Sequence, residues 1–211
     1  MHQNRGRREI VMIRHKLMRA VAFLLVLLGT SAFALPPATQ SNKLPSDSIY
    51  QLNLHLVDQG GKAFELRSLR GEPVFIAMFY ASCKYTCPLI IEEIKRTVQA
   101  LDEADRNRVR VLLVSFDPAR DTPAALTAVS VEHHVNLAHW TLARTDPTGV
   151  RKLAAILGVQ YRAMTNGDFN HSTMITLLDQ EGRIAAKSDK TSALDSELIA
   201  AVGRTLAGQN P

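Results

Sequence analysis

The stretch Val74-Phe-Ile-Ala-Met-Phe79-Tyr-Ala-Ser-Cys83-Lys-Tyr-Thr-Cys87-Pro88 joins an apolar run to the only two cysteines of this 211-residue chain. The six residues that open the stretch are all apolar, which is typical of a strand buried on both faces of a parallel sheet. From Pro88 onward, apolar residues recur on one face of a helix of about three to four turns. The stretch therefore predicts a strand, a turn that carries the cysteines, and a helix.

The spacing of the two cysteines allows more than one chemistry. Residues four apart are neighbours on a helix, so a helix that included both would carry Cys83 and Cys87 on one face. Such a pair can hold a soft metal ion, or it can form a disulfide with some backbone distortion. A thiolate at a helix N-terminus also gains from the unpaired N–H groups, which lower its pKa. A purely structural disulfide is the weakest alternative, because so short a loop removes little entropy.

The strand and helix order continues along the chain. The apolar run Val109–Phe116 predicts a second buried strand and hence a right-handed βαβ unit. Thr122 is the predicted N-cap of a helix that starts at Pro123. The other predicted elements are strands at 52–56, 139–143, 172–179 and 183–187, an amphipathic segment at 64–69, an extended segment at 159–164, a helix from Pro147 to Leu157 ended by Gly158, and a helix at about 194–206.

These elements predict an α/β fold for residues 49–208. The expected architecture is a thioredoxin-like mixed sheet flanked by helices, with an amino-terminal extension and an inserted strand and helix. In open α/β sheets, sites form beyond the carboxyl ends of the strands. Cys83 is predicted to lie at such an end.

The first 34 residues account for the whole net charge of +5. They contain six basic residues and one acidic residue, which leaves 19 of each sign in the rest of the chain. A basic start, an apolar run at 20–29 and Ala32-Phe-Ala34 are typical of a secretory signal peptide cleaved after Ala34. An uncleaved membrane anchor is the alternative, although the apolar run is shorter than the ~20 residues of a span. A linker is predicted at 35–48.

This distribution of charge excludes one class of partner and indicates a compartment. A balanced domain offers no basic surface, so we expect no nucleic-acid partner. A bacterial leader predicts a periplasmic protein, either released or tethered to the inner membrane. Because that compartment is oxidising, a thiol reductant would have to keep Cys83 and Cys87 reduced.

A copper site would need a third donor besides the two sulfurs. Thiolate together with imidazole suits cuprous copper. His171 is the strongest candidate, because it precedes the predicted strand at 172–179, where thioredoxin-like folds bring a loop against the cysteine segment. His133 and His134 are expected to be solvated at a helix C-terminus. The candidate histidines are His55, His133, His134, His139 and His171.

Three motifs in register carry a resemblance to a known family. They are Phe79-Tyr-Ala-Ser-Cys-Lys-Tyr-Thr-Cys-Pro88, Val114-Ser-Phe-Asp-Pro-Ala-Arg-Asp-Thr-Pro123 and Asn170-His-Ser172. This combination resembles the Sco/SenC family of copper-binding, thioredoxin-fold assembly factors for cytochrome c oxidase. The likeness spans about residues 51–206.

The resemblance implies a site and a function. Cys83, Cys87 and His171 correspond to the family's ligands, which bind cuprous and cupric copper. Family members are held to deliver copper to, or reduce the cysteines of, the dinuclear copper centre on the oxidase's second subunit. A copper donor and a thiol reductant are the other implied partners.

The chain also departs from the common family pattern. Lys84-Tyr-Thr86 separates the cysteines. Asn170 stands where an acidic residue is frequent. Loss of that carboxylate would alter the tuning of His171 as a ligand and so the preference between the two copper states. Asp117 and Asp121 match the family's Asp-Pro-x-x-Asp-Thr-Pro loop, where the residues themselves indicate only turn formation and helix capping.

Two enzyme hypotheses remain open. In a periplasmic thiol-disulfide oxidoreductase acting on partner cysteines, Cys83 would be the attacking thiol and Cys87 the resolving thiol. Thioredoxins, however, use C-x2-C and a cis-proline before the facing strand, whereas this chain has no proline between Pro147 and Pro211. A peroxide-reducing enzyme would need Arg144 in its site, and the sequence offers no convincing peroxidatic motif.

Overall fold

The structure, a computed structural model, describes residues 43–208. The predicted signal peptide and most of the predicted linker therefore lie outside the described residues. None of the helices within residues 43–208 combines the length and the apolar character that crossing a membrane requires.

The described part of the chain alternates strands and helices. The strands are β1 His55–Asp58, β2 Ala63–Glu65, β3 Val74–Phe79, β4 Arg110–Ser115, β5 Trp140–Arg144, β6 Tyr161–Ala163, β7 Phe169–His171, β8 Ile175–Leu178 and β9 Ile184–Ser188. The helices are α1 Thr86–Gln99, α2 Glu103–Arg106, α3 Pro123–Glu132, α4 Pro147–Leu157 and α5 Ser196–Leu206.

The strands form one large mixed sheet and one small hairpin. The order in the large sheet is β2-β1-β5-β4-β3-β8-β9, while β6 and β7 form a separate two-stranded sheet. Strands β3, β4 and β5 are parallel to one another, and β8 is antiparallel to β3. This architecture confirms the predicted α/β class with a mixed sheet.

Strand β3 lies at the centre of the core. All six of its residues are buried, and it pairs with β4 on one side and β8 on the other. Helix α1 buries Ile90, Ile91 and Ile94. The predicted sequence of a buried strand, a cysteine turn and an amphipathic helix is confirmed.

The predicted helix boundaries after β4 and β5 are also confirmed. Thr122 accepts a hydrogen bond from the Ala125 N–H, with Pro123 at the first helical position. Asp146 caps α4 in the same way, and Gly158 ends it with a φ of 78°. A left-handed residue at this position is most easily provided by glycine.

Two predicted strands have different boundaries. The strand expected at 52–56 begins only at His55, because residues 49–51 form a 3-10 turn before it. The strand expected at 172–179 is shorter, since its ladder with β3 begins at Ile175. His171 instead ends β7, which pairs with β6 across a turn that contains Asn166 and Gly167.

Candidate metal centre

The two cysteines lie on either side of the start of α1. The helix begins at Thr86, so Cys87 is in its first turn and is buried, while Cys83 lies in the preceding loop and is half-buried. The Cys87 N–H donates to Cys83 Sγ over 3.4 Å. Cys83 thus folds over the N-terminus of the helix, where unpaired N–H groups and the dipole favour a thiolate.

The fold brings His171 to this pair. The ligand atoms of Cys83, Cys87 and His171 all lie within 4.8 Å of one another, and no other group of three such donors occurs within residues 43–208. His171 Nε2 is 3.9 Å from Cys87 Sγ. Its Nδ1 is 3.1 Å from the Ser172 carbonyl oxygen, which can only accept a hydrogen bond. Nδ1 therefore carries the proton, and the Nε2 lone pair faces the sulfurs.

The two thiols of the pair have opposite protonation states. A hydrogen bond from the Cys87 side chain, together with the one from the Cys87 N–H, lowers the pKa of Cys83 to about 3. The same hydrogen bond to Cys83 and burial raise the pKa of Cys87. At neutral pH the pair therefore consists of an accessible thiolate and a buried thiol that share one proton.

His171 reaches the cysteines on the β6–β7 hairpin. Tyr161 is opposite His171 in the ladder and Ala163 is opposite Phe169. The turn between the strands places Gly167 at a φ of 86°, in the left-handed region that favours glycine. The hairpin thus holds the histidine at the end of a strand that lies outside the main sheet.

The rings of Tyr80 and Phe116 contact that of His171. Together with Tyr161 and Phe169, which pack against Phe116, they form what we call the aromatic cluster. The ring of Phe116 lies 5.2 Å from that of Phe169, 5.3 Å from that of Tyr161 and 5.1 Å from that of His171, measured between centroids. The cluster was not predicted from the sequence. One feature of the sequence could have indicated it: Tyr80 directly follows β3 and Phe116 directly follows β4. Because the carboxyl ends of adjacent parallel strands meet at one edge of the sheet, these two rings are expected to lie close together.

Asp121 connects the cysteine loop to β4. Its buried carboxylate accepts hydrogen bonds from the Ala81 N–H at 2.9 Å and the Ser115 hydroxyl at 2.5 Å. Burial raises the pKa of this carboxyl. The sequence had indicated only a turn or capping role for Asp121, because its contact with Ala81 spans 40 residues.

The neighbouring residues of the same loop contact the hairpin. Asp117 forms an ion pair with Arg120. The Arg120 guanidinium carbon lies 5.6 Å from the centre of the Phe169 ring. The loop that follows β4 therefore contacts both the cysteine segment and the hairpin that carries the histidine.

The other candidate histidines lie outside this cluster of donors. His55 is exposed on β1, and His139 is half-buried just before β5. His133 is the C-cap of α3, and the exposed His134 follows it with a φ of 49°. Arg144, which a peroxide-reducing site would need, ends β5, and β4 separates that strand from β3.

Comparison with known proteins places the chain in a family. The sequence model of the SCO1/SenC family matches residues 43–207. A Stutzerimonas stutzeri protein named "Putative copper-binding protein" is 27% identical over 62% of this chain and 65% of its own length. The Saccharomyces cerevisiae "Protein SCO2, mitochondrial" is 26% identical over 61% of this chain and 44% of its own length. Both matches cover less than two thirds of the relative's own length.

A solved structure gives the same result for the fold. Bradyrhizobium japonicum ScoI, solved with copper bound, is 28% identical with a TM-score of 0.60, covering 72% of this chain and 96% of that one. The family match covers nearly all of the described residues, including Cys83, Cys87 and His171. The chain is therefore a member of the SCO1/SenC family.

Proposed function

We propose that this protein binds copper through Cys83, Cys87 and His171 and transfers it during assembly of the dinuclear copper centre of cytochrome c oxidase. The observation that carries the proposal is the convergence of these three donor atoms within 4.8 Å in a member of the SCO1/SenC family. Copper is then the cargo of the protein.

The donor set suits copper in chemistry and in spacing. Two sulfurs and an imidazole nitrogen are ligands that cuprous copper accepts, whereas magnesium and calcium prefer oxygen. In a trigonal site with bonds as long as those of zinc, about 2.3 Å to sulfur and about 2.0 Å to nitrogen, these two atoms would lie about 3.7 Å apart. The observed separation of Cys87 Sγ and His171 Nε2 is 3.9 Å. This pair of donors would therefore need only a small movement to hold the metal.

The protonation states favour uptake and release. Cys83 is already a thiolate, so only Cys87 must lose a proton when the metal binds. The proton can return to Cys87 when the metal leaves. Because Cys83 is half-buried rather than enclosed, a partner's ligand can approach the site from that side.

Copper titration of the reduced protein tests the site. We expect His171→Ala, Cys83→Ser and Cys87→Ser each to weaken copper binding by more than the roughly 10- to 100-fold that loss of an outer-shell partner costs. His55→Ala is the matched control, since His55 is exposed on β1. Equal affinities of His171→Ala and the wild type for both cuprous and cupric copper would refute the proposed ligand set.

The proposed partners are the oxidase subunit that carries the dinuclear centre, a copper donor and a thiol reductant. We also propose a periplasmic location, with the amino-terminal segment either removed as a signal peptide or kept as a tether. Cell fractionation of the full chain, followed by mass spectrometry of its N-terminus, tests location and cleavage together. A mature N-terminus at Leu35 in the periplasmic fraction supports the signal peptide, whereas an intact leader in the membrane fraction supports the tether.

A thiol-disulfide oxidoreductase is the second candidate function. It is favoured by the pairing of an accessible Cys83, with its lowered pKa, and a buried, protonated Cys87, which is the arrangement of attacking and resolving thiols. This function predicts that Cys87→Ser accumulates mixed disulfides with partner cysteines. It also predicts that His171→Ala keeps a thiol potential close to that of the wild type, while copper binding falls.

A further inference from the structure

A cavity lies at the end of α1 that is opposite to the cysteines. It is lined by the last turns of α1, by the end of α2 and by residues 134–140, which lead into β5. Cys87 is in the first turn of α1 and Gln99 is its last residue, so the two are roughly 18 Å apart along the helix axis. The cavity is therefore separate from the metal centre, and what it binds does not depend on the proposed function.

The size and the apolar wall of the cavity limit what it can hold. Its volume is about 250 Å³. Pockets that hold drug-sized ligands measure roughly 300–1,000 Å³, so this one suits a smaller molecule. Val98, Val135 and Trp140 form its apolar wall, and Trp140 is only 5% exposed. A small ligand with a flat apolar part would lie against this wall.

The charged lining of the cavity is basic. None of the described residues that line it is acidic, and its basic residues are Lys95, Arg106, His134 and His139. Arg106 Nη2 donates to the carbonyl oxygens of Gln99 at 3.4 Å and Leu101 at 3.0 Å. Carbonyl groups carry no net charge, so these partners do not neutralise the guanidinium. Arg106 therefore presents a positive charge to the cavity.

Lys95 is the second cation of the lining. Its Nζ donates to Glu92 Oε1 and to the His133 carbonyl oxygen, both at 3.0 Å. An ammonium group has three protons, so one is left for a further acceptor. Because Glu92 offsets part of the charge of Lys95, Arg106 is the stronger attachment point for an anion.

The ring of His139 adds a neutral donor. Its Nδ1 is buried and has no hydrogen-bond partner among the described residues. An unpaired buried N–H group is rarer in proteins than an unpaired acceptor, so the proton of the neutral ring belongs on Nε2. His139 then offers an N–H donor rather than an acceptor at its other nitrogen.

The loop that completes the cavity is held by its own hydrogen bonds. The carbonyl oxygen of Asn136 accepts from the N–H groups of His139 at 3.0 Å and Trp140 at 2.9 Å. The side-chain oxygen of Asn136 accepts from the Ala138 N–H at 3.1 Å. His134, at the start of the loop, has a φ of 49°. A wall that is already ordered does not have to be ordered by its ligand, which favours binding.

We propose that this cavity binds a small organic carboxylate, whose apolar part lies against Trp140 and whose oxygens accept hydrogen bonds from Arg106 and Lys95. A guanidinium and a carboxylate match in geometry, because two parallel N–H groups can donate to the two oxygens. Convergent donors beside an apolar wall are the usual composition of a small-molecule site.

Titration of the full chain with sodium benzoate, followed by tryptophan fluorescence, tests the site. Trp140 is the only tryptophan of the chain, so its emission reports directly on the cavity. We expect a saturable change at millimolar or lower benzoate. Benzamide, in which a neutral amide replaces the carboxylate, should bind about tenfold more weakly, since a hydrogen bond to a charged group is stronger than a neutral one. Inorganic phosphate, which lacks an apolar part, should displace benzoate only weakly.

Arg106→Gln and Arg108→Gln form a matched pair of variants. Both arginines are exposed, but Arg108 lies outside the lining of the cavity and pairs with Asp105 at 4.0 Å. We expect Arg106→Gln to weaken benzoate binding about tenfold, the effect of one charge-assisted hydrogen bond, and Arg108→Gln to leave it unchanged. Both variants should keep the wild-type melting temperature and copper affinity.

Three results would each overturn the proposal. The first is the lack of a saturable change in Trp140 fluorescence at millimolar benzoate. The second is binding of benzamide or inorganic phosphate as tightly as benzoate, and the third is equal benzoate affinity of Arg106→Gln and Arg108→Gln. None of these results would affect the copper titration, so failure of this site and failure of the proposed function are distinguishable.

Discussion

The cysteines and the histidine of the site lie on two regions that are held in place differently. The cysteine segment connects β3, which pairs with strands on both sides, to α1, whose apolar face is in the core. His171 lies on a hairpin that pairs only with itself. An isolated two-stranded hairpin is at best marginally stable in water. The hairpin therefore depends on the aromatic cluster and on Arg120.

This difference predicts which perturbations affect each half of the site. The sulfur pair should keep its chemistry as long as the sheet is folded. The position of the nitrogen should depend on a few side-chain contacts that contribute little to global stability. Changes in the core and changes in the hairpin should therefore have different effects on unfolding and on copper affinity.

The largest expected effect concerns the pH dependence of Cys83 alkylation. With a pKa of about 3, Cys83 stays a thiolate throughout the range from pH 5 to pH 8. We expect its rate of reaction with iodoacetamide, followed by peptide mass spectrometry, to change less than about twofold over that range. The same protein in urea is the control, and there the rate should rise about tenfold per pH unit, as for a thiol with a pKa near 8.5. A native rate that rises just as steeply would contradict the assignment of the thiolate.

The same pKa also determines the sign of a contribution to stability. Because folding lowers the pKa of Cys83, the contribution is fully present above the pKa of the unfolded thiol, near 8.5. It decreases as the pH falls from there toward 3. Replacing Cys83 by serine should therefore flatten the dependence of the unfolding free energy on pH within this window.

The next largest effect is expected for Phe79→Ala, in the strand before the cysteine loop. Phe79 is 1% exposed, and removing a buried phenylalanine side chain costs about 3–5 kcal/mol. Urea unfolding measures this loss. If the core holds the sulfurs in place, the fraction of protein that remains folded should keep the wild-type thiol chemistry. A loss below about 1 kcal/mol would show that β3 does not support the core as described.

The smallest expected effect, Phe169→Ala, is the one that best separates the two regions. Phe169 is half-buried and contacts Tyr80, Phe116 and Arg120. We expect a loss of less than about 3 kcal/mol in unfolding free energy, since aromatic pairs contribute about 0.5–1.5 kcal/mol each beyond area burial. Copper affinity should fall about tenfold as the position of His171 loosens.

Phe64→Ala provides the matched control for this variant. Phe64 is also a partly buried phenylalanine on a three-residue strand, but that strand is β2, at the edge of the main sheet. We expect a similar loss of stability and unchanged copper affinity. Equal copper affinities of the two variants would show that the aromatic cluster does not position the histidine.

The predictable parts of the fold were those determined by short segments of sequence. The buried run Val74–Phe79, the Thr122 cap and the helix start at Pro147 follow from residues that are adjacent in the chain, and they were confirmed. The strand expected at 172–179 was too long, because its apolar pattern does not show where pairing with β3 begins. Its ladder starts at Ile175.

The sequence by itself determined the cysteine turn between a buried strand and a helix, because hydrophobic period and turn chemistry act over a few residues. It also identified His171 as the candidate third donor. Only the tertiary structure showed that His171 Nε2 lies 3.9 Å from Cys87 Sγ and that Asp121 accepts a hydrogen bond from the Ala81 N–H. These contacts join segments 40 or more residues apart, and only the packing of the strand ends at one edge of the sheet brings them together.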